Sequence, residues 1–136
     1  MPESTPLIST FTEDVPAVTI LADNNAVICE APYAGTVSAV EYIAIAAVTG
    51  AASPASRTLS LINKGQAGAG TTAVATLALV SAVNLVAFDA KTITLSSTAA
   101  DLVVAAGDVL VWNSLHVGGT GLVDPGGTVV VQITRS

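Results

Sequence analysis

The alternation of apolar and polar residues predicts a series of short β-strands. Residues 57–64 alternate with a two-residue period that places Leu59 and Leu61 on one face, and residues 128–135 repeat the pattern with Val129, Val131 and Ile133. Similar strands are expected at residues 26–31, 36–47, 73–80 and 92–96. Threonine and valine, which favour strands, dominate these segments, and glycine-rich or polar turns separate them.

Residues 102–117 form the stretch around which the fold is organised. The pattern predicts a short strand, a turn at residues 105–108 and a longer strand running to His116. Gly107 can take a positive φ in this turn, and Asp108 can accept bonds from nearby amides. Because both faces of the longer strand are largely apolar, we expect it to be central and covered on both sides.

About eight strands and no convincing helix indicate an all-β fold. We predict an antiparallel two-sheet sandwich that is jelly-roll-like, formed by residues 18–136 as a single domain. Connections of eight to ten residues are long for hairpins and fit strands that cross between the sheets.

Residues 1–17 are predicted to be an extended N-terminal arm. Prolines at positions 2, 6 and 16 argue against a helix or a fully paired strand. The apolar residues within the arm nevertheless favour burial, so we identify Pro6, Leu7, Ile8 and Phe11 as candidate contacts with the surface of another subunit or protein. A frayed terminus is the alternative.

Composition favours a protein with extensive protein contacts. Of the 136 residues, 51% are hydrophobic and 10% are charged, against about 25% charged in typical soluble domains. The surface of a chain with so few charges either exposes small side chains such as Ala, Thr and Ser or is an interface within an assembly. No apolar run approaches the ~20 residues of a membrane helix, and the N-terminus has no signal-peptide pattern. We expect no membrane association.

The net charge and the scattered basic residues argue against nucleic acid as a partner. The formal net charge is −6, and the four basic residues do not cluster in sequence. The single Cys29 permits no internal disulfide, which fits synthesis in a reducing cytoplasm.

No residue pattern indicates catalysis, a cofactor or a metal. Lys64 precedes the glycines of GQAGAGTT, whereas a phosphate loop places its lysine after them. His116 has no neighbouring ligands, and Ser114 two residues away has no nucleophile elbow, so a structural histidine is favoured. Cys29 is interpreted as a small core residue.

Three aspartates and the single tryptophan have structural interpretations. Asp101, Asp108 and Asp124 fall near turns, and turn formation is favoured over a shared calcium site because the three are isolated in sequence. Trp112 is interpreted as core or subunit-interface packing in preference to a sugar platform.

Four segments resemble a known family. RTLSLINKGQAGAGTTAVATLAL, NLVAFDAKTITLS, LVVAAGDVLVWNS and GLVDPGGTVVVQITRS, within about residues 31–136, resemble the capsid decoration (cement) proteins of tailed bacteriophages. The resemblance implies a β-sandwich or jelly-roll homotrimer on the outer face of an icosahedral capsid, where it would clamp capsomer junctions formed by the major capsid protein. It implies a structural virion protein made in the host cytoplasm, with no catalytic residues.

Two other classes remain open. One is a trimeric jelly-roll receptor-binding head of a phage fibre or spike. Clustered aromatic residues in the loops would favour this class, and the loops TGAASPAS, GQAGAGTT and GGTGLVDPGG contain none. An enzyme or sugar-binding module on the same scaffold would need converging histidines and carboxylates, and the chain has one histidine.

Overall fold

The computed structural model describes residues 7–136, which form ten β-strands and one 3₁₀ turn at Ala99–Leu102. The strands are β1 (Ile8–Val15), β2 (Asn24–Glu30), β3 (Gly35–Ala44), β4 (Ser56–Asn63), β5 (Thr72–Ala78), β6 (Ala90–Thr92), β7 (Thr94–Leu95), β8 (Val103–Val104), β9 (Val109–Val117) and β10 (Gly127–Arg135). None of the helical structure in the described residues is long and apolar enough to cross a membrane.

The strands form two antiparallel five-stranded sheets. One has the order β1-β10-β3-β6, with β8 also paired to β3, and the other has the order β2-β9-β4-β5-β7. The first strand therefore lies beside the last, and the chain crosses repeatedly between sheets. This arrangement is that of a jelly roll, and the predicted all-β sandwich is confirmed.

The core lies between the two sheets and follows the predicted alternation. Leu59 and Leu61 of β4 face Val129, Val131 and Ile133 of β10 across the core, and all five are fully buried. Burying side chains of this size contributes roughly 1.5 to 3 kcal/mol each. The two-residue period of the sequence therefore correctly predicted which face of each of these strands is buried.

The segment predicted as one strand at residues 92–96 divides between the sheets. β6 pairs with β3 of the first sheet, whereas β7 pairs with β5 of the second. Ile93 stands between them, fully buried, and donates its amide to the Val40 carbonyl. This division, together with β1, accounts for finding ten strands where about eight were expected.

Residues 8–15 are a strand of the sheet and not an arm outside it. β1 pairs with β10 at eight positions, from Ile8–Thr134 to Val15–Gly127. The prediction that the prolines prevent full pairing within this sheet is wrong, because Pro16 follows the strand and does not interrupt it. Since β1 is an edge strand, only one of its sides supplies ladder bonds.

β9 is central in its sheet, as predicted, but this chain covers only one of its faces. Leu110 and Trp112 point into the core with no exposed surface, whereas Leu115 on the outer face is 38% exposed. Val111 on that face is shielded by Val27 and Ile62, its register partners on the two flanking strands. The expectation of cover on both sides is therefore wrong within a single chain.

Candidate functional site

Four connections meet at one end of the sandwich, which we call the loop end: residues 16–23, 45–55, 79–89 and 118–126. Backbone hydrogen bonds join Val18 with Asp124 and Val48 with Leu85, and the amides of Thr120 and Gly121 both donate to the Pro54 carbonyl. The opposite end, the turn end, consists of residues 31–34, 64–71 and 96–108. The loop end contains both an internal polar cluster and an apolar surface.

Arg57 is the centre of the polar cluster at the loop end. It is the second residue of β4, and none of its surface is exposed. Its Nε donates to the Leu122 carbonyl at 2.8 Å, and one terminal nitrogen donates to the carbonyls of Thr19 and Ala22 at 3.0 and 3.1 Å. The planar guanidinium thus ties β4 to two of the four loops, a task that a single ammonium group cannot perform.

Asp124 completes this cluster from the loop before β10. Its carboxylate is buried and accepts hydrogen bonds from the hydroxyls of Tyr42 and Ser114, each at 2.6 Å, and from the Gly126 amide at 3.0 Å. Ser114 also accepts from the second terminal nitrogen of Arg57 at 3.1 Å. The hydroxyl of Ser114 therefore links the buried cation to the buried carboxylate.

The electrostatics of the cluster favour fixed protonation states. Burial lowers the pKa of the Arg57 guanidinium, and the Asp124 carboxylate opposes that change. Burial also raises the pKa of the Tyr42 phenol far above its ordinary value, and the hydrogen bond to Asp124 raises it further. The raised pKa keeps the Tyr42 phenol protonated, so Tyr42 remains a donor to Asp124 and helps the cluster to fasten the loops.

Ser114 and His116 do not form a nucleophilic pair. Ser114 is fully buried and donates its proton to Asp124. The Nδ1 of His116 lies 2.7 Å from Asp23 Oδ1, which also accepts the backbone amide of His116 at 2.9 Å. These bonds lower the pKa of Asp23, the backbone bond most of all. The histidine therefore fastens residues 16–23 to β9.

Trp112 lies in the core, where its ring is 5.4 Å from that of Tyr42 at an angle of 41°. It has no exposed surface and so offers none to another subunit. Its indole nitrogen is buried and has no hydrogen-bond partner among the described residues. Cys29 is half-buried against the core, and burial raises its pKa to about 11, so it is not a thiolate at neutral pH.

The three aspartates considered for calcium serve separate local structures. Asp108 accepts the Ala105 amide at 2.9 Å across the predicted turn, where Gly107 has a φ of 90°. Asp101 accepts the Ser96 hydroxyl at 2.7 Å, and Asp124 lies in the cluster described above. Within residues 7–136, no three acidic, histidine or cysteine side chains are grouped to hold a metal.

The candidate contacts of residues 6–11 do not gather at the loop end. Pro6 lies outside the described residues. Leu7 and Ile8 are 51% and 54% exposed beside the C-terminal part of β10, whereas Phe11 is half-buried against the core. Leu7 and Ile8 are thus accessible to a partner.

The loop end exposes an unusual share of the large apolar side chains. Among the described residues, twelve such side chains are exposed, and seven of them lie in its four loops. The seven are Ile20, Leu21, Ile45, Val80, Val86, Phe88 and Val123. Large apolar side chains exposed at one end of a fold make that end a candidate interaction surface.

Two shallow grooves on the loop end adjoin each other at Ala17. The first, of about 370 Å³, is lined by uncharged residues: Ala17, Val18, Thr19, Ile20 and Val123. The second, of about 400 Å³, lies between residues 14–17, Ile45 and residues 125–128. Phe88 lines neither groove.

Phe88 is the most exposed large apolar side chain of the described chain, at 76%. Its φ is 61°, a conformation that bulky residues seldom adopt, and its amide donates to the Ala44 carbonyl at 2.8 Å. The backbone is thus held in a costly conformation while the ring stands in solvent, a combination typical of a contact residue.

Sequence reasoning missed both parts of the loop end. Arg57 appeared only as the start of an alternating strand, and Phe88 was not noticed. A lone arginine at an inward-facing position of a strand was the available signal for the cluster. The exposure of Phe88 depends on how the loops meet and had no local signal.

Comparisons with protein-family models, curated proteins and solved structures found no match.

Proposed function

We propose that this protein is a structural virion protein that decorates and stabilises an icosahedral phage capsid. It binds the outer capsid surface at capsomer junctions. Its partners are the major capsid protein and further copies of itself, with which it forms a homotrimer. The observation that carries the proposal is the loop end, where seven large apolar side chains are exposed, Asp124 is buried near Arg57, and Asp23 and Asp89 are the exposed charged side chains of the four loops. A surface of that kind favours protein contacts over small-molecule chemistry.

The outer faces of the two sheets support the same function. On one outer face Leu115, Thr76 and Thr94 carry no charge and Glu30 is a charged exception. On the other Thr10, Gln132 and Ser38 are uncharged, whereas Asp14 and Glu41 are charged. Small uncharged side chains can contact neighbouring proteins without desolvating an ion. Many copies of such a modest contact stabilise a shell without one tight site. The resemblance of residues 31–136 to decoration proteins points to the same class.

A trimeric receptor-binding head is the second candidate. The observation that favours it is the gathering of four loops, with an exposed Phe88, at one end of a jelly roll. Recognition sites commonly use loops on a rigid scaffold. The groove beside residues 17–20 has no charged side chain to orient a polar receptor, and for this reason we prefer decoration.

Electron microscopy of intact particles carrying this chain tests the proposal. The expected result is density for the jelly roll at regular positions between capsomers on the capsid exterior. Added protein should also cosediment with particles that lack it and reach a saturating occupancy. Density at a fibre or spike tip would support the receptor-binding head, and absence from the particle would overturn both candidates.

A further inference from the structure

We infer that the loop end binds a second copy of this chain, with Phe88 of one copy seated in the groove lined by Ala17, Ile20 and Val123 of the next. This inference deepens the self-association within the proposed function and rests on it. It assigns the subunit contact to named side chains. The chemistry of the groove, the exposure of Phe88, the charge at this end and the area of exposed apolar surface carry it.

The groove determines the chemistry of its occupant. Its five lining residues carry no charge, and the lining side chains are aliphatic apart from Thr19. Asp124 nearby is turned inward and already bonded to Tyr42, Ser114 and Gly126. An apolar side chain that projects from a surface can enter this groove without leaving an ion unpaired.

Phe88 supplies a side chain of that kind. It projects further into solvent than any other large apolar residue described, and its backbone is held at a positive φ. Aromatic residues that enter apolar pockets are typical anchors of protein interfaces. Because Phe88 lines neither groove of its own chain, the anchor and the groove remain available to different neighbours.

The positions of anchor and groove permit a closed assembly. Both lie at the loop end, so they can be buried in a twofold dimer, in which each Phe88 enters the groove of the other copy, or in a ring that closes when the rotation between copies permits. A threefold ring buries both patches of every copy and is the assembly that the predicted homotrimer requires.

Charge favours a partner copy that approaches by this end. Each chain has a formal net charge of −6, so copies repel one another wherever exposed carboxylates face each other. At the loop end Asp124 is buried near Arg57, which leaves Asp23 and Asp89 as the exposed carboxylates of the four loops. Asp23 is hydrogen-bonded to His116, and Asp89 has no salt bridge among the described residues.

The area that a stable interface buries requires side chains around Phe88 to contribute to the contact. A stable interface buries about 800 Å² on each partner, whereas one aromatic side chain contributes roughly 150–250 Å². Ile45, Val86 and Leu21 on the surrounding loops are each more than half exposed and can supply much of the difference. The contact is therefore expected to be a patch with Phe88 as its anchor.

Light scattering after gel filtration, across a dilution series, gives the first test. Wild type should be oligomeric, and Phe88→Ser and Val123→Asp should each raise the apparent dissociation constant at least about 30-fold. Val27→Ser, which changes an exposed apolar residue on the outer face of β2, is the matched control and should have little effect. A monomeric wild type at about 100 µM, or an oligomer that neither variant weakens, would overturn the inference.

Disulfide trapping gives the second test. In a Cys29→Ser background, a chain carrying Phe88→Cys is mixed with a chain carrying Val123→Cys and oxidised. Seating of Phe88 in the groove brings the two positions within the range for a disulfide, roughly 4.4–6.8 Å between Cα atoms, so the mixed dimer should exceed that formed with Val27→Cys. Equal yields would contradict the contact.

Particle binding separates this inference from the proposed function. A monomeric wild type that binds particles would overturn the subunit contact and leave decoration standing. A Phe88-dependent oligomer that binds no particle would support the contact and overturn decoration. Loss of particle binding in Phe88→Ser with an unchanged oligomer would place the shell, and not a second copy, on this surface.

Discussion

The two ends of the sandwich distribute polar and apolar groups in opposite ways. At the loop end, Arg57 and Asp124 are buried while Phe88 and Val123 stand in solvent. At the turn end, Asp101 and Lys64 are accessible on the surface, and the large exposed apolar side chains are Val103 of β8, Ile8 at the start of β1 and Leu7 before it. The turn end has the distribution of an ordinary protein surface, and the loop end inverts it.

The inversion shows how a chain with few charges builds a contact surface. Polar bonds from Arg57 and Asp124 fix residues 16–23 and 118–126 from inside, so no exposed charge is needed to hold them, while backbone bonds join residues 45–55 to 79–89. The turn end has no such buried cluster among the described residues and is fixed by backbone bonds, such as those between Ala31 and Asp108, and by the Asp108 turn. Buried polar fastening therefore leaves the outside of the loop end free for apolar side chains.

Among the substitutions compared between the two ends, replacing Arg57 should cause the largest loss of stability. Arg57→Met leaves the carbonyls of Leu122, Thr19 and Ala22 without their donor and leaves Asp124 buried without its cation. Breaking a buried charged pair in this way costs about 3–5 kcal/mol of the free energy of unfolding. Urea denaturation followed by circular dichroism measures the loss.

The matched control is at the turn end. Lys64→Met removes a partly exposed cation that makes no salt bridge among the described residues, and it should change the free energy of unfolding by less than about 0.5 kcal/mol. Similar midpoints for the two variants would show that the buried cluster does not stabilise the fold.

Two tyrosines allow a single hydroxyl to be compared at each end. Tyr42 donates to the Asp124 carboxylate at the loop end, whereas Tyr33 contacts the Ser9 hydroxyl at the turn end, both at 2.6 Å. Tyr42→Phe should cost about 1.5–3 kcal/mol because its partner is charged, and Tyr33→Phe about 0.5–1.5 kcal/mol. Thermal and urea unfolding of both variants measures the difference, and equal losses would contradict a charged acceptor at Asp124.

Substitutions at Phe88 and Gly107, which both have a positive φ, should have opposite effects on stability. Phe88→Gly should stabilise the dissociated chain by about 0.5–1 kcal/mol, because glycine accepts a φ of 61° without steric cost. Gly107→Ala at the turn end should destabilise it by about 1 kcal/mol, since its φ is 90° and nearby atoms leave room for the added methyl. Loss of stability in Phe88→Gly, measured below the concentration of self-association, would show that the ring packs within its own chain.

The sequence predicted the sandwich because alternation records which side of a strand is buried. Val129, Val131 and Ile133 carry that signal within one strand and needed no knowledge of their partners. β1 was missed because prolines beside a strand look like prolines that interrupt it. The division at Ile93 was missed because a strand that changes sheets keeps its alternation.

The loop end was beyond prediction for a different reason. Arg57 is satisfied by carbonyls of residues 19, 22 and 122, which are distant in the chain and meet only in the folded protein. Asp124 does bond the Gly126 amide, as a turn residue should, but its burial depends on Tyr42 and Ser114. Local patterns therefore identified the turn and could not identify the cluster.

The smallest expected effect concerns the exposed pair of Asp23 and His116 at the loop end. The pKa of Asp23 lies below its ordinary value, chiefly because its carboxylate accepts the His116 backbone amide and secondly because of the imidazole. A carboxyl whose pKa is lowered by folding stabilises the fold above its unfolded value and loses that contribution as pH falls through its folded value. Asp23→Asn should therefore lower the urea midpoint slightly at about pH 7, and the difference from wild type should shrink as pH falls below the ordinary aspartate pKa of about 3.9. His116→Gln is the informative control: it keeps the backbone amide, so most of the pH-dependent difference should remain. If His116→Gln abolished that difference, the imidazole and not the backbone would be the main fastening of residues 16–23 to β9.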